Sequence, residues 1–122
     1  MGHHFEAMSG HVIEAAIHVH RQLGPGFLES IYENALKAAL RKRGIAHESQ
    51  KEVSVFYDGE EVGSHRLDLV VNNEIVVELK AIRALEDVHF AQVRSYLKAT
   101  GLRVGLLMNF NAPTLIIKRI VL

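Results

Sequence analysis

The spacing of apolar residues predicts two helices in the first third of the chain. Apolar side chains recur at helical intervals over residues 9–23, and Ser9 stands where a helix N-cap is expected. The Gly-Pro-Gly segment at residues 24–26 ends this helix, since glycine suits the position after a helix and proline cannot continue one. A second apolar stripe predicts a helix over residues 27–43, which Gly44 ends.

The rest of the chain shows mainly the patterns of strands. Apolar residues and turn signals predict strands at residues 52–57, 62–71, 74–80, 103–109 and 114–121, and a helix at residues 86–99. Asp58-Gly59 and Asn72-Asn73 separate the first three strands and are typical of hairpin turns. The order α-α-β-β-β-α-β-β predicts an α/β fold in which helices cover a mixed sheet.

Composition narrows the class of protein. The 122 residues are 48% hydrophobic and 23% charged, which indicates one globular domain; we expect a tail over residues 1–8 and a single domain over residues 9–122. The absence of cysteine excludes a thiolate nucleophile and a cysteine zinc site. No apolar run is long enough to span a membrane, so we expect a cytoplasmic protein without a membrane partner. Basic and acidic residues number 14 each, so a polyanion partner requires a local basic patch or a bound cation.

Charged residues interrupt two of the predicted strands. Asp68 stands in an apolar strand, and strict alternation places it on the same face as Arg66 and Val70, where an ion pair with Arg66 is the simple explanation. Glu78 and Lys80 follow a buried apolar run and share a face, where an ion pair at the strand end is again the simple explanation.

The hairpin predicted at Asn72-Asn73 relates these interruptions to each other. Asp68 and Glu78 lie about five residues from the turn on its two arms, so the hairpin brings them close together. Neighbouring carboxylates repel unless one binds a proton or a cation neutralises both. Carboxylate oxygens suit Mg²⁺ or Mn²⁺, and Lys80 beside such a cation could hold and polarise a water molecule.

Two of the predicted helices carry polar pairs beside their apolar stripes. Glu29 and Tyr32 occupy adjacent positions on one face, although Glu29 is also explained as a first-turn acid that the helix dipole favours. Gln92 and Tyr96 are four residues apart and can donate hydrogen bonds to phosphate or water, or they form an ordinary amphipathic boundary.

This ordered set resembles the PD-(D/E)XK nuclease superfamily: a helix acid, a strand Asp, a strand Glu-x-Lys and a helix Gln-x-x-x-Tyr. More narrowly, Gly26, Glu29 and Tyr32 resemble the GxxExxY family within it. Three further segments are similar to that family: residues 23–26, 77–81 and 105–110. The likeness extends from about residue 10 to the C-terminus, and it departs from the superfamily name at Leu67, where that name has proline.

The resemblance implies a three-layer, restriction-endonuclease-like core with a central mixed sheet. It implies Asp68, Glu78 and the backbone carbonyl of Leu79 as ligands of Mg²⁺ or Mn²⁺. Lys80 would orient the attacking water, and Glu29 would bind the metal directly or through water. Tyr32 would support the site, and the matching Gln92 and Tyr96 would support it and contact nucleic acid.

The sequence leaves three functional hypotheses open. The first is a Mg²⁺-dependent nuclease that hydrolyses nucleic acid, for which we expect DNA rather than RNA as the substrate. The second is a catalytically inactive module on the same fold that binds nucleic acid or protein. The third is a structural homodimer that pairs through residues 104–108 and 115–122, because exposed strand edges can pair across a two-fold axis.

The eight histidines do not form a metal motif, because HExxH is absent and His18 and His20 do not share a helix face. His20 falls near the apolar stripe of the first helix, which predicts a buried histidine with a hydrogen-bond partner. His65 and His89 fall beside the candidate site residues, without a clear role in it.

Overall fold

The computed structural model describes the backbone of residues 2–122 and the side chains of residues 7–122. It contains eight elements in the predicted order. They are α1 (Gly2–Leu23), α2 (Glu29–Lys42), β1 (His47–Tyr57), β2 (Glu60–Val71), β3 (Ile75–Lys80), α3 (Asp87–Thr100), β4 (Val104–Asn109) and β5 (Ile116–Val121).

Three elements begin earlier than the sequence predicted, and β2 differs least, because it begins at Glu60 rather than at residue 62. α1 begins at Gly2, so Ser9 lies inside the helix and is buried rather than capping it. No proline interrupts residues 2–8, and Met8 packs against the core, which extends the helix in the N-terminal direction. β1 begins at His47 rather than at residue 52, because its antiparallel pairing with β2 already starts opposite Val71.

The five strands form one sheet in the order β1-β2-β3-β4-β5. β1–β2, β2–β3 and β4–β5 are antiparallel pairs, and α3 connects the parallel strands β3 and β4. The turn residues Asp58, Asn72 and Asn73 have φ values of 51°, 51° and 53°, as turns of the predicted hairpin type require. β4 lies between β3 and β5, so residues 104–108 cannot pair with a second chain as the dimer hypothesis expected; β5 is an outer strand.

Helices cover both faces of the sheet. α1 and α2 pack on one face, against side chains such as Leu69, Val77 and Leu106. α3 packs on the other face, with Val70 and Leu107 in its core. This arrangement confirms the predicted three-layer fold. Within the described residues, no helix is long and apolar enough to cross a membrane.

Candidate active site

The position of Asp68 depends on an irregularity in β2. Leu67 and Val70 pack in the same core, whereas Leu69 packs in the core on the other face. The alternation of faces therefore slips by one residue at Asp68. The pairing of β1 with β2 skips this position, and the opposing residue, Gln50, has a φ of 52°. Strict alternation, on which the predicted shared face of Asp68, Arg66 and Val70 rested, therefore does not hold across this part of β2.

The slip turns the Asp68 carboxylate towards β3 instead of towards a face of the sheet. Asp68 Oδ2 accepts a hydrogen bond of 3.0 Å from the backbone N–H of Leu79. Arg66, which was the expected ion-pair partner of Asp68, instead lies 3.5 Å from Glu52. A side-chain carboxylate thus takes the place of a backbone carbonyl at this point of the sheet.

β2 and β3 separate where these residues lie. Their pairing ends at Leu69 and Val77, and the same register continued by one residue places Asp68 opposite Glu78. The N–H and C=O of one strand residue point to the same side, so the carbonyl of Leu79 also faces the opening between the strands. We call this opening, with Asp68, Glu78 and the Leu79 carbonyl around it, the strand gap.

Glu78 is almost entirely removed from solvent. It is 4% exposed, and among the described residues Oε1 has no hydrogen-bond partner, while Oε2 lies 3.6 Å from Lys80 Nζ. Burial, and then the charge of Asp68, raises the pKa of Glu78 to about 8, although the charge of Lys80 opposes the rise. Burial and the neighbouring carboxyl group of Asp68 together favour the protonated form of Glu78 when no cation is bound.

Lys80 stands at the end of β3 with its side chain 16% exposed. The chain beyond it is held by the fully buried Asn109. The Asn109 side chain accepts hydrogen bonds from the N–H groups of Ile82 and Asn111 and donates one of 2.9 Å to the Ile82 carbonyl. These bonds fix the direction in which β3 ends. The sequence pattern did not predict this role of Asn109, although an asparagine at the end of an apolar strand could have indicated it.

Glu29 is the first residue of α2 and is half-buried. Its pKa is raised, mainly by burial and next by the negative charge of Asp68, with a smaller contribution from Glu33; the charge of Lys80 lowers it. These electrostatic interactions show that α2 brings its first-turn acid towards Asp68 and Lys80.

Tyr32 contacts the backbone that precedes α2. It is fully buried and stacked on Phe110, with ring centroids 4.8 Å apart. Its hydroxyl donates a hydrogen bond to the Gly24 carbonyl and accepts one of 3.1 Å from the N–H of Phe27. Tyr32 therefore holds the Gly-Pro-Gly loop that leads into Glu29.

We expect Tyr32→Phe to lower the free energy of unfolding by about 1–2 kcal/mol, because a partly buried carbonyl and an N–H lose their partner. The ring remains, so stacking on Phe110 is preserved. Urea denaturation measures the change. The matched control is Tyr57→Phe at an exposed position, which should leave the free energy of unfolding unchanged. Equal stability of Tyr32→Phe and the wild type would contradict the structural role.

Tyr96 and Gln92 approach the strand gap from α3. Tyr96 is buried, and its pKa is raised to about 12 by burial and by the charges of Glu78 and Asp68. A hydrogen bond with Gln92 acts in the opposite direction. The hydroxyl of Tyr96 thus remains protonated and can donate a hydrogen bond at this place.

The three histidines considered in the sequence, His20, His65 and His89, have different surroundings in the structure. His65 packs its ring 4.9 Å from that of Tyr96, and its Nε2 lies 2.9 Å from Ser95 Oγ. His89 Nδ1 accepts a hydrogen bond from the N–H of Glu86 and so caps α3. His20 is buried with Nε2 2.8 Å from the Ala112 carbonyl, which confirms the expectation of a buried histidine with a partner.

The fold and the strand gap together define a class of protein. A three-layer core that carries Asp68 on one strand and Glu78-x-Lys80 on the next is the arrangement of restriction-endonuclease-like nucleases. The model of the PD-(D/E)XK nuclease superfamily matches residues 6–120, and the chain belongs to that superfamily.

The comparison with solved structures agrees on the fold. The crystal structure of SSO0001 is similar to this chain, with a TM-score of 0.60 and 20% sequence identity over 75% of this chain and 48% of that chain. This chain therefore spans about half the length of SSO0001, and the likeness concerns the fold alone. The comparison with curated proteins found no match.

Proposed function

We propose that this protein is a divalent-metal-dependent nuclease that hydrolyses phosphodiester bonds, with DNA as the preferred substrate, and that it belongs to the GxxExxY family. The observation that carries the proposal is the convergence of Asp68, Glu78 and Lys80 at the strand gap. Two carboxylates held together in a buried place are unfavourable unless a proton or a cation neutralises them. This pair of acids is therefore better explained by a role in cation binding than by a contribution to the stability of the fold.

The donor atoms at the strand gap fit Mg²⁺ or Mn²⁺. Asp68 and Glu78 offer carboxylate oxygens, Leu79 offers a backbone carbonyl, and Glu78 Oε1 has no partner among the described residues. Within the part of the chain that the structure describes, no three His, Asp or Glu residues form a complete metal cluster. We therefore assign two protein carboxylates to the metal and place Glu29 further out, where it would act through water.

When bound, the metal supplies positive charge to the scissile phosphate and lowers the pKa of a coordinated water. Lys80 orients the attacking water, since its ammonium group stands beside Glu78. The Tyr96 hydroxyl and the Gln92 amide donate hydrogen bonds to phosphate oxygens at the side of the gap that α3 covers. Tyr32 acts indirectly, because it fixes the loop before Glu29.

We expect a Mn²⁺ titration by calorimetry to show saturable binding to the wild type and binding at least about tenfold weaker to Asp68→Asn, since loss of one charged ligand costs about 1.4 kcal/mol or more. The matched control is Asp58→Asn at the exposed hairpin turn, which should bind like the wild type. Equal Mn²⁺ binding by the wild type and Asp68→Asn would contradict a metal site at the strand gap.

Cleavage is then tested with Mg²⁺ or Mn²⁺ on single-stranded DNA, duplex DNA and RNA. Products that form with the wild type and not with Asp68→Asn would support a nuclease. A wild-type protein that binds oligonucleotides but cleaves none of them with either metal would instead support the catalytically inactive module.

A further inference from the structure

The β1–β2 hairpin ends in an exposed projection with an unusual surface. Every residue from 56 to 64 is exposed, and we call this segment the hairpin arm. It carries three apolar side chains in solvent: Phe56 is 64% exposed, Tyr57 72% and Val62 62%. A monomeric protein rarely leaves two aromatic residues so exposed at one place without a contact for them.

The hairpin arm is an ordered and acidic structure. Backbone pairing continues to Phe56–Glu61 and Tyr57–Glu60, and Ser54 Oγ donates a hydrogen bond of 2.8 Å to Glu61. The register shifts between Val55 and Phe56, a bulge of the kind that redirects side chains. With Asp58, the arm carries three negative charges and no positive charge, which makes it unsuited to nucleic acid.

A groove of opposite character lies between α1 and α2. Its lining is mainly apolar, and basic side chains stand at one end. The lining residues include Val19, Leu23, Ala35, Ala39, Lys42 and Arg43. The cavity has a volume of about 220 Å³. Pockets for small-molecule ligands usually occupy about 300–1,000 Å³, so this groove suits a single large side chain better than a nucleotide.

The hairpin arm cannot reach this basic end in its own chain. α2 ends at Lys42, and β1 begins at His47, close in sequence to the basic end of the groove. β1 then extends for 11 residues before the turn. At about 3.3 Å per residue, the arm lies roughly 35 Å away, at the other end of the sheet.

We infer that the hairpin arm of one copy seats in the α1–α2 groove of a second copy of this chain. The acidic arm meets the basic residues Arg41, Lys42 and Arg43, while an aromatic side chain enters the apolar groove. Opposite charges at opposite ends of a chain with zero net charge favour this arrangement. The smallest closed assembly is a two-fold dimer with two identical contacts.

Light scattering after gel filtration, over low to high micromolar concentration, tests this inference. We expect the wild type to approach twice the mass of one chain, and Lys42→Glu/Arg43→Glu to remain at the mass of one chain. The matched control is Lys118→Glu/Arg119→Glu, which changes the charge equally at exposed residues of β5 and should behave like the wild type. Tyr57→Ser should weaken association, and high salt should weaken it as well.

A charge exchange gives the decisive result. Glu60→Lys/Glu61→Lys should be monomeric alone, and mixing it with Lys42→Glu/Arg43→Glu should restore a dimer, because both arm–groove contacts are then complementary. A wild type that stays monomeric at every concentration would overturn the inference. A β5 control that dissociates as fully as the groove variant would also overturn it. If the wild type is monomeric and Lys42→Glu/Arg43→Glu has lost oligonucleotide binding, these basic residues bind nucleic acid rather than a second copy of the chain.

Discussion

Lys80→Met is expected to lower the rate of phosphodiester cleavage roughly 10³-fold, the scale of losing one group that stabilises developing charge. The Lys80 ammonium is 3.6 Å from Glu78 Oε2 and is largely shielded from solvent. In the proposed mechanism it holds the attacking water and stabilises the charge on the phosphate, and a methionine side chain of similar length would supply neither effect. Initial rates with Mg²⁺ and with Mn²⁺ measure the change.

The fold should survive this substitution. Lys80 lowers the pKa of Glu78, so its removal leaves Glu78 protonated at neutral pH rather than as an unpaired buried charge. The matched control, Lys118→Met, removes an exposed lysine from β5 and should retain full activity. Circular dichroism and thermal unfolding verify that both variants are folded. A folded Lys80→Met protein that cleaves as fast as the wild type would exclude the proposed role of Lys80.

The parts of the fold that local sequence determines were predictable. The two hairpin turns were recognised because Asp58-Gly59 and Asn72-Asn73 favour positive φ, and the structure has these turns. The start of α1 was not recognised, because Ser9 is a good N-cap residue and only the packing of Met8 shows that the helix continues past it.

The candidate site was predictable only in part. Counting from the turn brought Asp68 and Glu78 together, and the register agrees. The direction of the Asp68 side chain was not predictable, since it depends on the irregular pairing opposite Gln50. The hydrogen bond between Asn109 and Ile82 joins residues 27 positions apart, and the contact between His65 and Ser95 joins residues 30 positions apart. No local sequence pattern predicts such pairs.

The second large effect concerns stability. Glu78→Gln is expected to stabilise the metal-free protein at alkaline pH while abolishing metal binding and cleavage. The pKa of Glu78 is about 8 in the folded protein and near the ordinary value of 4.5 in the unfolded chain. Because the folded state binds the proton more tightly, its contribution to stability is complete below pH 4.5 and is lost as the pH rises to about 8.

The free energy of unfolding of the wild type should therefore fall as the pH rises between those two values. Glutamine has the same shape as glutamate and no charge to bury, so the stability of the variant should not fall in this pH range. The difference in free energy of unfolding between Glu78→Gln and the wild type should therefore grow with pH and level off above about pH 8. Urea denaturation in EDTA at several pH values measures the difference. Glu52→Gln, at an exposed position of β1 outside the hairpin arm, is the control and should follow the wild type.

Excess Mn²⁺ should reverse the order of stability, because only the wild type retains the charged ligand and gains free energy from binding the ion. If Glu78→Gln is instead less stable than the wild type at pH 9 without metal, Glu78 contributes to the fold as a carboxylate. In that case the strand gap would be a structural ion pair of Glu78 with Lys80, and the cation would not be needed to explain the buried acids.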